Sequence, residues 1–288
     1  MECKICSSKS HFIFTKKILS KYEVSYFKCS SCGFIQTEDA YWLSEAYELP
    51  FTPLDVYLVS RPLEFSQLTE NLILKYFDYK SKFLDYGGGV GVFTRMMRDR
   101  GLKFYRQDKY AQNLFTQYFD VYDLPEAERN FELVTSFEVL EHLENPLGEL
   151  KQIFSFGQNL LFSTVLQPSQ SVEELKNWSY LAELHGQHIS FFTKRSMEIL
   201  AENFKCYYYH DEKCPLLHLF TPIKITDFSF FMNEKGHIST FSRLKNKLLS
   251  LKKLIFSDTT EVKKLESLIQ SDTQFIIQEL QNKSLSTK

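Results

Sequence analysis

The apolar run Phe83-Leu84-Asp85-Tyr86 enters a glycine-rich turn, Gly87-Gly88-Gly89-Val90-Gly91. It leaves through Val92-Phe93-Thr94-Arg95-Met96-Met97, a helix-compatible stretch. A strand that turns into a helix through glycines is how open α/β sheets build a nucleotide-shaped crevice. Glycine takes positive φ and lets backbone approach a ligand where a Cβ would clash. The spacing narrows the ligand. Asp85 leads Gly87, Gly89 and Gly91 in the pattern D-x-G-x-G-x-G. A dinucleotide fingerprint started at Gly87 needs its third glycine where Val92 stands. The pattern therefore disfavours a pyrophosphate on the helix N-terminus and an NAD-type oxidoreductase. Taken alone, the glycines also fit a plain tight turn.

The downstream sequence keeps the order of such a sheet. Leu102-Lys103-Phe104-Tyr105-Arg106-Gln107 reads as a second strand ending in Asp108, 23 residues after Asp85. A carboxylate at that tip can accept both ribose hydroxyls of a nucleoside. Asp123-Leu124-Pro125 follows as a candidate acidic loop on the base side. Phe131 to Glu138 reads as a buried strand breaking into a polar turn, then Glu141-His142. Asn145-Pro146 opens a helix with a capping residue and a proline at its first position.

These residues resemble two segments of class I S-adenosylmethionine (SAM)-dependent methyltransferases. The glycine turn is similar to their first motif, and Phe137-Glu138-Val139-Leu140-Glu141-His142 to the segment after their fourth strand. The resemblance implies a SAM site made by Asp85, Gly87, Gly89, Gly91, Asp108, Asp123, Phe137 and Glu138.

Six cysteines need sorting. Cys3 and Cys6 form one C-x-x-C, and Cys29 and Cys32 another, with 22 residues between the pairs. Two such knuckles place four thiolates tetrahedrally around zinc. Two disulfides or a redox dithiol are the alternatives. Four cysteines with no spare histidine make a closed, structural site, in a zinc ribbon whose strands lie between about Phe12 and Phe27.

A chain of 288 residues with 43% hydrophobic and 16% aromatic residues can bury a sizeable core. A net charge of −2 gives no support for general nucleic-acid binding. The N-terminus has no signal-peptide core and no run of 18 apolar residues exists, so a cytoplasmic protein without a transmembrane segment is expected.

Strands alternating with helices predict an α/β fold, a doubly wound, seven-stranded, mostly parallel Rossmann-like sheet. The expected divisions are a zinc ribbon over 1–36, a connector over 37–60 and a SAM-binding domain over 61–222. A helical C-terminal extension over 223–288 completes them. Within it, residues 243–253 carry Arg243, Lys245, Lys247, Lys252 and Lys253 among leucines. Such a basic amphipathic helix can dock on an anionic membrane or a protein, and is more often a solvated face. A second helix is expected over about 261–283.

Chemistry is expected after the fifth strand, where His185-Gly186-Gln187-His188 precedes Ser190-Phe191-Phe192-Thr193. Imidazole has the right pKa to take a proton from a methyl acceptor. His188 is the candidate base and His185 a candidate substrate contact, while a structural histidine is the competing reading of each. His142 reads as structural. The cysteine pairs, the glycine turn and these histidines together resemble the zinc-containing sugar methyltransferases of deoxysugar and bacterial polysaccharide pathways. That resemblance implies a nucleotide-sugar or glycan acceptor and names His188 as the base. Gln187 stands where that family has a glutamate, which favours a hydroxyl over a carbon acceptor. A sugar C-methyltransferase, and a non-enzymatic zinc-ribbon scaffold, are the remaining readings.

Overall fold

The computed structural model describes residues 1–48, 56–168, 171–231 and 265–286. Two sheets carry the architecture. The larger has the strand order β5-β4-β6-β7-β10-β9. Its members are β4 (Lys82–Tyr86), β5 (Lys103–Gln107), β6 (Leu133–Ser136), β7 (Leu160–Ser163), β9 (Tyr207–His210) and β10 (Leu217–Thr221). Strands β5, β4, β6 and β7 run parallel, and β10 is antiparallel to both β7 and β9. Every residue of β6 and β7 is buried, as expected of strands covered on both faces.

Helices α2 (Ser60–Tyr76), α3 (Val92–Asp99), α4 (Pro146–Phe154) and α6 (Lys194–Asn203) accompany the sheet. Their starts follow local chemistry. The Asn145 side chain accepts the Gly148 amide with Pro146 in the first turn, and the Thr193 side chain accepts the Ser196 amide.

Six strands, not seven, form this sheet among the described residues. Beyond β5 the expected edge strand is reduced to one parallel bridge, Arg106 to Asp120. The expected intervening helix is also missing: residues 109–132 hold only the short 3-10 turns Val121–Asp123 and Glu126–Glu128. The Arg106 guanidinium explains the change. It donates to Asp120 Oδ1 at 2.7 Å, and to the Gly89 and Ala111 carbonyls. The buried cation ties together the backbone that a ladder would otherwise hold.

The second sheet has the order β1-β2-β3-β8, all antiparallel. It comprises β1 (Ser10–Ile18), β2 (Tyr22–Cys29), β3 (Ile35–Thr37) and β8 (Ser190–Phe191). Its last strand comes from the segment just after His188. Ile35 pairs with Phe191 and Gln36 with Ser190. The cysteine-bearing hairpin therefore grips the histidine segment directly. Two short helices, α1 (Leu43–Ala46) and α5 (Val172–Lys176), flank this sheet.

The C-terminal helix α7 (Ile269–Ser286) docks on α3. Its anchor is a carboxylate and not an apolar stripe; Ile269 is 53% exposed. Asp272 receives Arg98 Nε at 2.8 Å and Nη2 at 2.6 Å, with both side chains buried. The expected helix partner over 243–253 lies outside the described residues. Removing one member of a buried ion pair strands the other charge. Asp272→Ala is therefore expected to cost about 3–5 kcal/mol of stability, read by urea denaturation. A change below about 1 kcal/mol, the worth of an exposed pair, would refute that role. Among the described residues no helix is long and apolar enough to cross a membrane.

Candidate active site

The glycine turn sits at the carboxyl end of β4. Gly87, Gly89 and Gly91 have φ of +73°, +54° and +93°, so the three spaced glycines are the ones the backbone needs. The Gly87 and Gly88 amides donate to the Gln107 carbonyl at 2.8 and 3.1 Å. A Cβ on Gly87 would lie 2.6 Å from Val139 Cγ2. The turn is thus pressed against the segment that follows β6.

Asp85 lies beneath this turn. Its carboxyl accepts Thr94 Oγ1 and Thr135 Oγ1, each at 3.0 Å. Burial pushes it up to about 7, against those two hydrogen bonds. Asp108 stands at the tip of β5, where Oδ2 accepts the Gly89 amide at 2.8 Å. Its Oδ1 accepts the Tyr110 and Ala111 amides at 2.8 and 2.7 Å. A carboxylate carries about four acceptor sites and three are taken by these amides, so one site, on Oδ2, remains for a ribose hydroxyl. Asp123 is exposed and caps its own 3-10 turn by accepting the Asp120 amide at 2.8 Å. Phe137 packs between Phe65 and Phe93, with ring centroids 4.8 and 4.9 Å away.

Glu138 has a φ of +55°. Its amide donates to Ser163 Oγ at 2.8 Å, and Ser163 Oγ donates back to its carboxylate at 2.6 Å. Arg61, from the first turn of α2, pairs with its other oxygen at 3.3 Å.

A second group converges beside this turn. His188 Nδ1 lies 2.7 Å from the Tyr180 carbonyl. A carbonyl only accepts, so Nδ1 carries the proton and Nε2 keeps its lone pair. The Tyr180 hydroxyl donates to Glu141 Oε1 at 2.6 Å. His142 Nδ1 lies 3.0 Å from Tyr47 Oη, and the His142 and His188 rings meet edge to face with centroids 4.9 Å apart. Burial holds His188 down to about 4, and His142 well below the usual imidazole range. Burial pushes Glu141 up to about 8, with Glu138 adding to it. His185 sits in the turn before this group; its amide donates to the Ala182 carbonyl at 3.0 Å.

Glu141, Tyr180, Tyr47 and Arg61 are the site residues that sequence reasoning did not single out. The Glu141-His142 dipeptide was visible as a motif, and its partners lie on other segments. Tyr47 stacks on Tyr110 at 5.5 Å, joining the N-terminal segment to the loop that Asp108 holds.

The sequence matches the family described as "Methyltransferase domain" over residues 60–210, just over half of the chain. The chain belongs to this methyltransferase family. It is a SAM-dependent enzyme, with a mixed α/β sheet of Rossmann-like, mostly parallel character. No curated protein matches the sequence. Among solved structures, the plantazolicin methyltransferase BpumL in complex with SAH is 14% identical, with a TM-score of 0.37. The match covers 62% of this chain and 88% of that one. The mitomycin 7-O-methyltransferase MmcR is 15% identical, with a TM-score of 0.38 and 62% and 59% covered. The magnesium protoporphyrin IX methyltransferase of Synechocystis PCC 6803 with bound SAH is 12% identical. Its TM-score is 0.37, with 63% and 94% covered.

The methyltransferase carries its four N-terminal cysteines in one cluster. The sulfurs of Cys3, Cys6, Cys29 and Cys32 lie within 4.8 Å of one another, with Cys3 to Cys32 and Cys6 to Cys29 at 3.5 Å. Backbone amides point at the sulfurs, Ile5 to Cys3 and Ser31 and Cys32 to Cys29. The cluster packs on Phe192 and α6. Thr193 Oγ1 donates to the Cys32 carbonyl, and Gln167 Nε2 to the Gly33 carbonyl.

Proposed function

We propose that this enzyme transfers the SAM methyl group to a hydroxyl of a sugar, as nucleotide-sugar or glycan. The observation that carries the reading is the His188 ring. Its back nitrogen is fixed on the Tyr180 carbonyl, which leaves an Nε2 lone pair beside His142, on the segment whose Val139 presses on the glycine turn. That lone pair serves the proton of the acceptor hydroxyl. When bound, SAM supplies an activated methyl group; the chain's own work is holding the hydroxyl in line and handling its proton. Tyr47, Tyr110 and Tyr180 offer flat faces for a sugar ring, and Glu138 and Arg61 offer hydrogen bonds to its hydroxyls. In this reading His185 touches the acceptor.

The sugar C-methyltransferase alternative would use the residue at position 187. Gln187 Nε2 donates instead to the Ala46 carbonyl at 2.7 Å, and the side chain is buried there. It braces α1. That supports the oxygen over the carbon acceptor. Incubation with a keto-sugar in deuterated water tests the choice. Deuterium entering beside the carbonyl before methyl transfer would favour carbon.

For the cofactor, calorimetry with SAM, SAH and NAD is decisive. SAM and SAH should bind and NAD should not; NAD alone binding would sink the reading. Asp108→Ala should weaken SAM binding by about 1–3 kcal/mol, the cost of a lost charged acceptor. Equal affinity would remove Asp108 from the ribose site.

The four cysteines support a structural zinc. Zinc–sulfur bonds of about 2.3 Å set tetrahedral sulfurs about 3.8 Å apart, and spacings of 3.5 Å for two pairs and no more than 4.8 Å for any are compatible with that value. Zinc would tie the Cys3–Cys6 turn to the Cys29–Cys32 turn at the end of β2, whose Cys32 carbonyl accepts Thr193 Oγ1, with no open position for chemistry.

A further inference from the structure

Glu141, His142 and His188 each offer a ligand atom, and these atoms all lie within 4.8 Å of one another. Each side chain is held from behind. The Tyr180 carbonyl fixes His188, Tyr47 meets His142 Nδ1, and the Tyr180 hydroxyl occupies Glu141 Oε1. Glu141 is completely buried, yet its Oε2 has no hydrogen-bond partner. Proteins orient metal ligands in this way, with the rear nitrogen or oxygen hydrogen-bonded and the front one free. A buried carboxylate oxygen left open wants a cation or a donor.

We infer that Glu141, His142 and His188 form a second, divalent-cation site within the acceptor crevice. Two imidazoles and one carboxylate suit a transition-series ion such as manganese, iron, cobalt or zinc. Calcium and magnesium prefer all-oxygen sites. Three protein ligands leave coordination positions open, unlike the four-cysteine cluster. An acceptor hydroxyl fits such a position, and adjacent sugar hydroxyls fit two. The inference rests on the cluster being the acceptor site. It assigns the His188 lone pair to the ion in place of the proton: the ion lowers the pKa of the bound hydroxyl, which releases its proton to water as it takes the methyl group. The rival partner for His142 is the Gln187 carbonyl, which also lies beside that ring. A ring donating to it has no lone pair for an ion.

Mn²⁺ is the probe, because thiolates bind it weakly and the cysteine cluster will not compete. Full-length protein carrying one zinc per chain is titrated with Mn²⁺ and followed by loss of the free-ion electron paramagnetic resonance signal. One equivalent should bind. Glu141→Gln and His188→Gln should each weaken that binding by at least about tenfold, and Tyr47→Phe by a smaller factor. SAH affinity, measured on the same samples, should match the parent and certifies that the variants are folded. Failure of the parent to bind Mn²⁺ up to the millimolar range overturns the inference. So does equal binding by parent, Glu141→Gln and His188→Gln. A parent that fails to bind SAH would instead sink the SAM-site reading.

Discussion

His188→Ala is expected to lower turnover by roughly 10²–10⁴-fold, the usual contribution of a positioned acid–base group. SAH affinity should hardly change. The His188 contacts are with Tyr180 and His142, whereas the glycine turn is held by Gln107, Asp108 and Val139. Burial, the largest influence on this ring, holds it at about 4. The neutral ring is the working form, so activity persists above that value and is lost as pH falls through it. The acid limb of kcat/KM should therefore lie well below the 6.5 of a free imidazole. Stability moves in the same direction. The unfolded ring takes up its proton near 6.5 and the folded one only near 4. The unfolded state thus binds more protons in that window, and stability drops as pH falls across it. His142, also lowered by burial, adds to this contribution. The carboxyls of Asp85 and Glu141, raised by burial to about 7 and about 8, oppose it, so the share of His188 is read as the difference from His188→Ala. Thermal melts over the same pH range separate the two losses. An acid limb near 6.5 that survives in His188→Ala would remove the ring from the chemistry. His185→Ala should act more weakly, mainly on KM.

The parts of this architecture that depend on local backbone chemistry are legible in the sequence. Three glycines at alternate positions coincide with three positive φ angles, and Asn145-Pro146 and Thr193 open helices where their side chains can cap them. Paired C-x-x-C knuckles bring four sulfurs together because each knuckle is itself a tight turn. What could not be read depends on contacts between distant segments. Tyr47 meets His142 across 95 residues and Tyr180 meets Glu141 across 39. No periodicity encodes either. The missing seventh strand has the same origin. Apolar content predicts strands, but a buried Arg106 reaching Gly89, Ala111 and Asp120 replaced one. The Ser190–Phe191 strand is two residues long and exists only because β3 lies beside it.

With the proposed structural zinc in the four-cysteine site, removing the metal or replacing Cys32 by serine is expected to abolish methyl transfer and spare SAH binding. Structural zinc contributes about 10–16 kcal/mol in small zinc modules, as much as the whole stability of a typical domain, about 5–15 kcal/mol. The sulfurs of Cys3 and Cys32, and of Cys6 and Cys29, lie 3.5 Å apart. As thiolates they repel; as thiols they form only weak hydrogen bonds. The hairpin should therefore lose its anchor. The consequence passes to the acceptor side by named contacts. Strand β3 holds β8, Trp42 Nε1 donates to the Gly186 carbonyl at 2.7 Å, and Gln187 Nε2 donates to the Ala46 carbonyl. The Thr37 amide on the Ile189 carbonyl and the Tyr26 ring against Phe191 belong to the same sheet and loosen with it, and the His188 position goes with them. The glycine turn makes none of these contacts. The expected result is hydrogen exchange rising together over residues 10–47 and 186–193, with turnover lost and calorimetric SAH binding retained. Metal-free protein that keeps both segments protected and still turns over would show that the cysteines do not support the acceptor site.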